Sequence, residues 1–86
     1  MQARPNLNGN TPEDFAAAYM ALSDAVSAID EAQRKLAGDV LNGRNYASTD
    51  ACIADRRRIL DAMQQCRAIL GSIASEIVDA LDDHNR

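Results

Sequence analysis

The sequence predicts an all-α fold: an antiparallel hairpin of two long helices that assembles as a dimeric four-helix bundle or a higher oligomer. Three observations carry that prediction. Two apolar runs step alternately by four and three residues, the spacing that lines up side chains along one stripe of a helix. A single short stretch separates them, Asn42-Gly43-Arg44-Asn45-Tyr46-Ala47-Ser48-Thr49, in which Asn-Gly stops one helix and Ser-Thr starts another. The second run also spreads its apolar residues over a face too wide for one partner helix. A lone hairpin would leave that surface wet, and pairing two hairpins covers it.

The chain has 86 residues, which sets a single domain, 1–86, with residues 1–10 as an N-terminal arm. The arm holds Pro5, Gly9 and three asparagines without periodicity, and is expected to be mobile unless Leu7 pins it to a partner surface. Phe15, Tyr19 and Tyr46 are the only aromatic residues, so core volume falls to Leu, Ile, Val, Met and many alanines. Alanine buries little area, and a short chain has little interior. Both facts point toward self-association.

The first helix is expected over 12–41. Thr11 suits the N-cap, Pro12 the first helical position, and Glu13 and Asp14 the positive end of the dipole, with Asp14 three residues after Thr11 as in a shortened capping box. The seam then reads Phe15, Tyr19, Leu22, Val26, Ile29, Gln33, Leu36, Val40, with Gln33 its only polar member. Ala18, Ala25 and Ala32 line one flank, where a second helix can approach closely. Gly38 weakens the last turns by roughly 1 kcal/mol relative to alanine. Asn42 and Gly43 supply the C-terminal stop, with Gly43 in a left-handed conformation.

The second helix is expected over 49–82, capped by Ser48 or Thr49 and favoured by Asp50 and Asp55 near its positive end. Its seam is Cys52, Arg56, Ile59, Met63, Cys66, Leu70, Ile73, Ile77, Ala80. A second stripe of Ile53, Leu60, Ala74 and Leu81 runs beside it, interrupted by Arg67, and Ile69 and Val78 add apolar surface elsewhere. Ile53, Leu60, Ile69, Ala74 and Leu81 are therefore the expected oligomer interface. Folding the chain about residues 45 and 46 pairs position i with roughly 91 − i in an antiparallel hairpin. Gln33 then falls beside Arg56 and Ile59, a polar layer that would lock the register, and Gly71 falls opposite Met20 and Ala21 as a point of close approach.

Composition also excludes function classes. The net charge of −4 argues against general nucleic-acid binding. No apolar run approaches the roughly 20 residues of a membrane span, and the N-terminus lacks the apolar region of a secretory signal, so the expected location is the cytoplasm. Cys52 and Cys66 lie roughly 21 Å apart along one helix, beyond the reach of an intrachain bridge, and are expected as reduced thiols. His84 is the only histidine and sits in the terminal tail, so nucleophile–histidine chemistry has no base. Metal-ligand spacing and a glycine-rich phosphate loop are missing as well. The expectation is a non-enzymatic protein with no cofactor and no metal.

Charge is polarised along the hairpin. Arg34, Lys35, Arg44, Arg56, Arg57 and Arg58 fall near the tip, whereas Glu13, Asp14, Glu76, Asp79, Asp82 and Asp83 fall at the open end. An antiparallel dimer would bring these ends together. The same polarity suits docking of an acidic partner or anionic ligand. Arg44, Asn45 and Tyr46 sharpen the second reading, because a guanidinium grips phosphate or carboxylate, an amide reads polar edges and a phenol stacks. Arg56 and Arg57 add basic charge. Asn10 and Thr11, at the other helix start, complete a candidate composite pocket with the tip of a second chain.

The helix start Asn8-Gly9-Asn10-Thr11-Pro12-Glu13-Asp14-Phe15, taken with the turn Gly43-Arg44-Asn45-Tyr46, resembles small accessory proteins encoded by temperate phages. It is also similar to phage helical hairpins that dimerise and block host regulators, in which an Arg/Tyr-containing turn precedes the second helix. The resemblance implies an oligomer, in its simplest form a homodimer, that modulates or inhibits a host protein in the bacterial cytoplasm, with Arg44, Asn45 and Tyr46 as the matched positions. The alternative is a sponge that sequesters an anionic small molecule such as a signalling cyclic nucleotide. The third reading is a structural assembly bundle without a separate ligand.

Overall fold

The helix start at Thr11 works as its residue types demand. The Asp14 carboxylate accepts hydrogen bonds from the Thr11 N–H at 3.0 Å and from the Thr11 hydroxyl at 3.3 Å, and α1 follows as Pro12–Lys35. The computed structural model describes residues 1–6 and 9–85. Among them the chain is all-helical, and α1 packs against a second long helix, α2, Thr49–His84. The two form a rod of 60 × 18 × 18 Å. None of the described helices is long and apolar enough to cross a membrane.

The end of the first helix differs from expectation. After Lys35 the backbone widens into a π-helical turn, Leu36–Val40, closed by Leu41 N–H donating to the Leu36 carbonyl at 2.7 Å. Gly38 lies in this turn, and without a Cβ it offers little resistance to the wider winding. The left-handed cap at Gly43 does not form, since no described residue has a positive φ. Side chains satisfy the terminal carbonyls instead. Asn42 Nδ2 donates to Gly38 O at 3.1 Å, and Asn45 Nδ2 donates to Asp39 O at 3.2 Å and to Val40 O at 3.0 Å. Arg56 Nη1 reaches back from α2 to Ala37 O at 3.0 Å and to Leu41 O. Gly43 opens a short 3₁₀ turn, Gly43–Asn45, entered through an Asn42 side chain that accepts from Arg44 N–H at 3.2 Å. Ser48 Oγ then caps α2 by accepting from Ala51 N–H at 3.1 Å.

α2 is two residues longer than expected at its C-terminal end. Its register against α1 is displaced from the i to 91 − i pairing by roughly one helical turn. Asp30 meets Arg67, and Arg56 meets Ala37 and Leu41. The widened turn and the tucked-in Leu41, only 2 % exposed, put the fold-back point off the centre of the loop. The expected polar layer of Gln33 with Arg56 is therefore replaced. Arg56 caps the helix end, and among the described residues Asp30–Arg67 is the ionic contact between the two helices.

The interior is thin. Among the described residues of the two helices and their connection, Leu41, Cys52, Ala74, Ile77 and Ala80 are the buried apolar ones, and only the first and fourth are large aliphatics. Residues 1–6 lie along the end of α2 rather than free of it. Pro5 is buried, Arg4 pairs with Asp83 at 3.7 Å, and the Met1 amino group contacts Glu76. Leu7, the expected anchor of the arm, lies outside the described residues.

Candidate functional site

The turn that the sequence marks as a contact site is built largely for its own closure. Tyr46 donates its hydroxyl to Asp55 Oδ2 at 2.9 Å, and burial together with this acceptor pushes its phenol above the ordinary tyrosine range. Asp55 also faces Arg58 at 3.5 Å. Both donors of interest at Asn45 and Arg56 are engaged by carbonyls of the first helix. The exposed guanidiniums of Arg44 and Arg57 make no ion pair or side-chain hydrogen bond among the described residues. Arg58 and Lys35 are exposed as well, but each faces a carboxylate of its own helix, Asp55 and Glu31.

Asn10 and Thr11 sit at the opposite end of the rod, so a single chain does not bring them to the tip. The Asn10 carbonyl accepts from Asn6 N–H at 3.1 Å, and the Asp14 carboxylate already occupies the Thr11 N–H that an anion would use. Beside them the arm and hairpin enclose an open hollow of about 620 Å³, lined among others by Arg4, Asn6, Asp14, Phe15 and Ile77.

The residues expected at the oligomer interface separate into different environments. Ala74 is buried inside the hairpin at 8 % exposure, and Leu60 and Leu81 are half-buried. Ile53 and Ile69 are exposed at 47 % and 61 %. Sixteen residues apart at about 100° each, these two point to opposite flanks of α2. One flank forms a groove with α1, lined by Tyr19, Ser23, Val26, Gly71 and Val78. The expected close approach at Gly71 is absent there, since a Cβ at that position would meet nothing within 4 Å.

Sequence reasoning missed the Asp30–Arg67 pair, although Arg67 stood out as the break in an apolar stripe. Arg67 Nε donates to Asp30 Oδ1 at 2.6 Å and Nη2 to Oδ2 at 3.3 Å, a two-pronged contact on the grooved flank. The hydrogen bond from Arg67, helped by the positive charges of Arg67 and Arg34, holds the Asp30 carboxyl below the usual range. The same hydrogen bond raises Arg67.

Both cysteines are free. Cys52 is buried with its Sγ 3.9 Å from Leu41 O, and Cys66 is exposed. The described residues contain no group of three or more His, Cys, Asp or Glu side chains placed to hold a metal ion.

The free hairpin exposes 6,094 Å². A compact monomer of 9.3 kDa exposes about 5,000 Å². The excess of roughly 1,100 Å² compares with the roughly 800 Å² that each partner gives up in a standard protein interface. No family model, curated protein or solved structure matches this chain.

Proposed function

We propose that this chain is a non-enzymatic binding protein that works as a homo-oligomer of hairpins, the simplest form being a dimeric four-helix bundle, and that it modulates a protein partner. The observation that supports this reading is the surface excess of the rod together with the large apolar side chains left exposed on both flanks of the hairpin, among them Ile53, Ile69, Ile73, Tyr19 and Val78. One flank serves self-association, and the other, with Ile53 and Leu60, faces the partner. If the phage resemblance holds, that partner is a protein of the bacterial host and the place of action is its cytoplasm. The alternative of an anion-sequestering sponge draws its support from the unpaired Arg44 guanidinium at a tip rich in arginine.

Native mass spectrometry on chain purified gently from a bacterial lysate tests the reading. The expected result is an oligomer carrying a stoichiometric protein partner, released by Leu60→Glu while the oligomer persists. An added mass of a few hundred daltons per chain, lost in Arg44→Ala, would overturn it in favour of the sponge. A monomer at all concentrations would overturn the oligomeric premise.

A further inference from the structure

The two flanks of the hairpin are unlike in charge, and that difference assigns one of them. Arg67 and Asp30 cross the grooved flank, and Arg34 lies beside it with Leu60 and Gln33. Packing a second copy along this flank would take two such ion pairs out of water, a costly step. The opposite flank is marked by the arm, where Met1 meets Glu76 and Ala18 lines the hollow beneath. Ile73 and Ile69 precede Glu76 by three and seven residues, and so stand on the same stripe of α2. Ala25 and Ala32 follow Ala18 at heptad spacing on α1. Between Arg58 and Glu76 the α2 stripe carries no charged residue, and Cys66, exposed, belongs to it.

We propose that this alanine-lined flank, with Ala18, Ala25 and Ala32 from α1 and Cys66, Ile69 and Ile73 from α2, is the seam on which a second copy packs antiparallel. The proposal deepens the oligomeric reading above and rests on it. Three features select a second copy as the occupant. Between Arg58 and Glu76 the α2 stripe of this flank is uncharged, so its middle meets its own duplicate without opposing like charges. An isologous contact on one long side of a rod places a two-fold axis either along the rods or across them, and the charge polarity of the rod selects the axis across them, which sets the two copies antiparallel. The basic tip, with Arg34, Lys35, Arg44, Arg57 and Arg58, then lies beside the partner copy's acidic end, with Glu13, Asp79 and Asp82. Finally, the surface excess of roughly 1,100 Å² is of the size that one subunit surrenders on dimerisation. Small side chains on α1 let the helices approach closely, and Ile69 supplies the largest exposed aliphatic on α2, at 61 %.

Sedimentation equilibrium on the full chain and three variants, with circular dichroism as the check on folding, is the test. The wild type and Ile53→Glu are expected as dimers of equal affinity. Ala25→Glu and Ile69→Glu are expected to raise the dissociation constant at least tenfold while the chain stays helical. Iodoacetamide labelling of the wild type, read by peptide mass, supplies a measurement free of any substitution: Cys66 should label several-fold more slowly as chain concentration rises through dimerisation. A dimer that dissociates on Ile53→Glu alone, or in which Cys66 labels at a constant rate, overturns the assigned flank and leaves oligomerisation standing. A wild-type monomer overturns both.

Discussion

Arg56 is the residue on which the hairpin tip depends, and its removal has a calculable cost. Its Nη1 donates to two carbonyls at the end of the first helix, those of Ala37 and Leu41, and Leu41 is only 2 % exposed. Arg56→Met keeps the aliphatic stem and deletes the guanidinium. A hydrogen bond from a charged donor contributes about 1.5–3 kcal/mol, and a carbonyl left unpaired away from water costs a similar amount. The second carbonyl is lost with the first, but Asn42 and Asn45 still hold their own acceptors, so the expected loss is about 2–3 kcal/mol. For a domain of this size that lowers Tm by roughly 10–20 °C. Arg56→Lys should fall between, because an ammonium offers donors without the planar fork. Arg57→Met is the control: the neighbouring arginine is exposed and has no ion-pair partner, so its loss should stay within about 0.5 kcal/mol. Urea unfolding followed by circular dichroism, at one fixed chain concentration and pH 7, reads all three. Equal midpoints for Arg56→Met and Arg57→Met would refute the assignment of the tip to Arg56.

Other expectations follow from the same structure. Gly71 lies inside a helix with open space where a Cβ would stand, so Gly71→Ala should stabilise the hairpin by about 0.5–1 kcal/mol in thermal melts; a loss there would mean that a neighbouring chain occupies that space. Asp30 has a lowered folded pKa, so the stability it contributes is complete above the unfolded value of about 3.9 and is lost as pH falls through the folded value. The gap between wild type and Asp30→Asn in urea unfolding should accordingly close in acid, and a gap of constant size would contradict the pairing with Arg67. Tyr46 has a raised folded pKa, so its contribution is complete below about pH 10 and is lost as pH rises through the folded value. In a Tyr19→Phe chain, where Tyr46 is the single phenol, the absorbance titration at alkaline pH should have its midpoint above the free-tyrosine value and fall part of the way back in Asp55→Ala, because burial, the larger cause, remains.

Local chemistry made most of the fold legible. Thr11-Pro12-Glu13-Asp14 and Ser48-Thr49-Asp50 hold their start signals within four residues, and both helices begin there. The end of the first helix was not legible in the same way, because its capping is partly non-local. Arg56 sits nineteen residues from Ala37, and nothing near Gly43 announces that a side chain from the next helix will take the place of a left-handed glycine. The register error has the same source. A hairpin folded symmetrically about its loop pairs Gln33 with Arg56 and Asp30 with Asp61, whereas Asp30 meets Arg67, and neither the widened turn at Leu36–Val40 nor the tucked-in Leu41 is announced by the periodicity. The tip motif reads two ways for a related reason. Arginine, asparagine and tyrosine in a turn serve a ligand and a helix end equally well, and the contacts place Asn45 and Tyr46 on the protein itself.

The division of labour between polar and apolar residues explains why the chain reads as incomplete by itself. Its directional contacts cluster at the tip, at the Thr11 start and at the Asp30–Arg67 crossing. Each fixes where the two helices lie, and leaving one of the part-buried acceptors unpaired is costly, but the net gain on forming them is small, since they largely exchange water partners for protein ones. The driving force must come from apolar burial. Among the described residues of the hairpin only five apolar side chains are nearly fully buried, two of them alanines, and much of the rest of the seam, Phe15, Leu22, Ile29, Met63 and Leu70 among it, is half-buried. Meanwhile Ile69 keeps 61 % of its surface in water on a flank whose α2 stripe has no charge between Arg58 and Glu76. A chain with precise local specification and a thin interior gains most from a second rod laid along that flank. Burying it adds the missing hydrophobic term without taking the Asp30–Arg67 pair out of water.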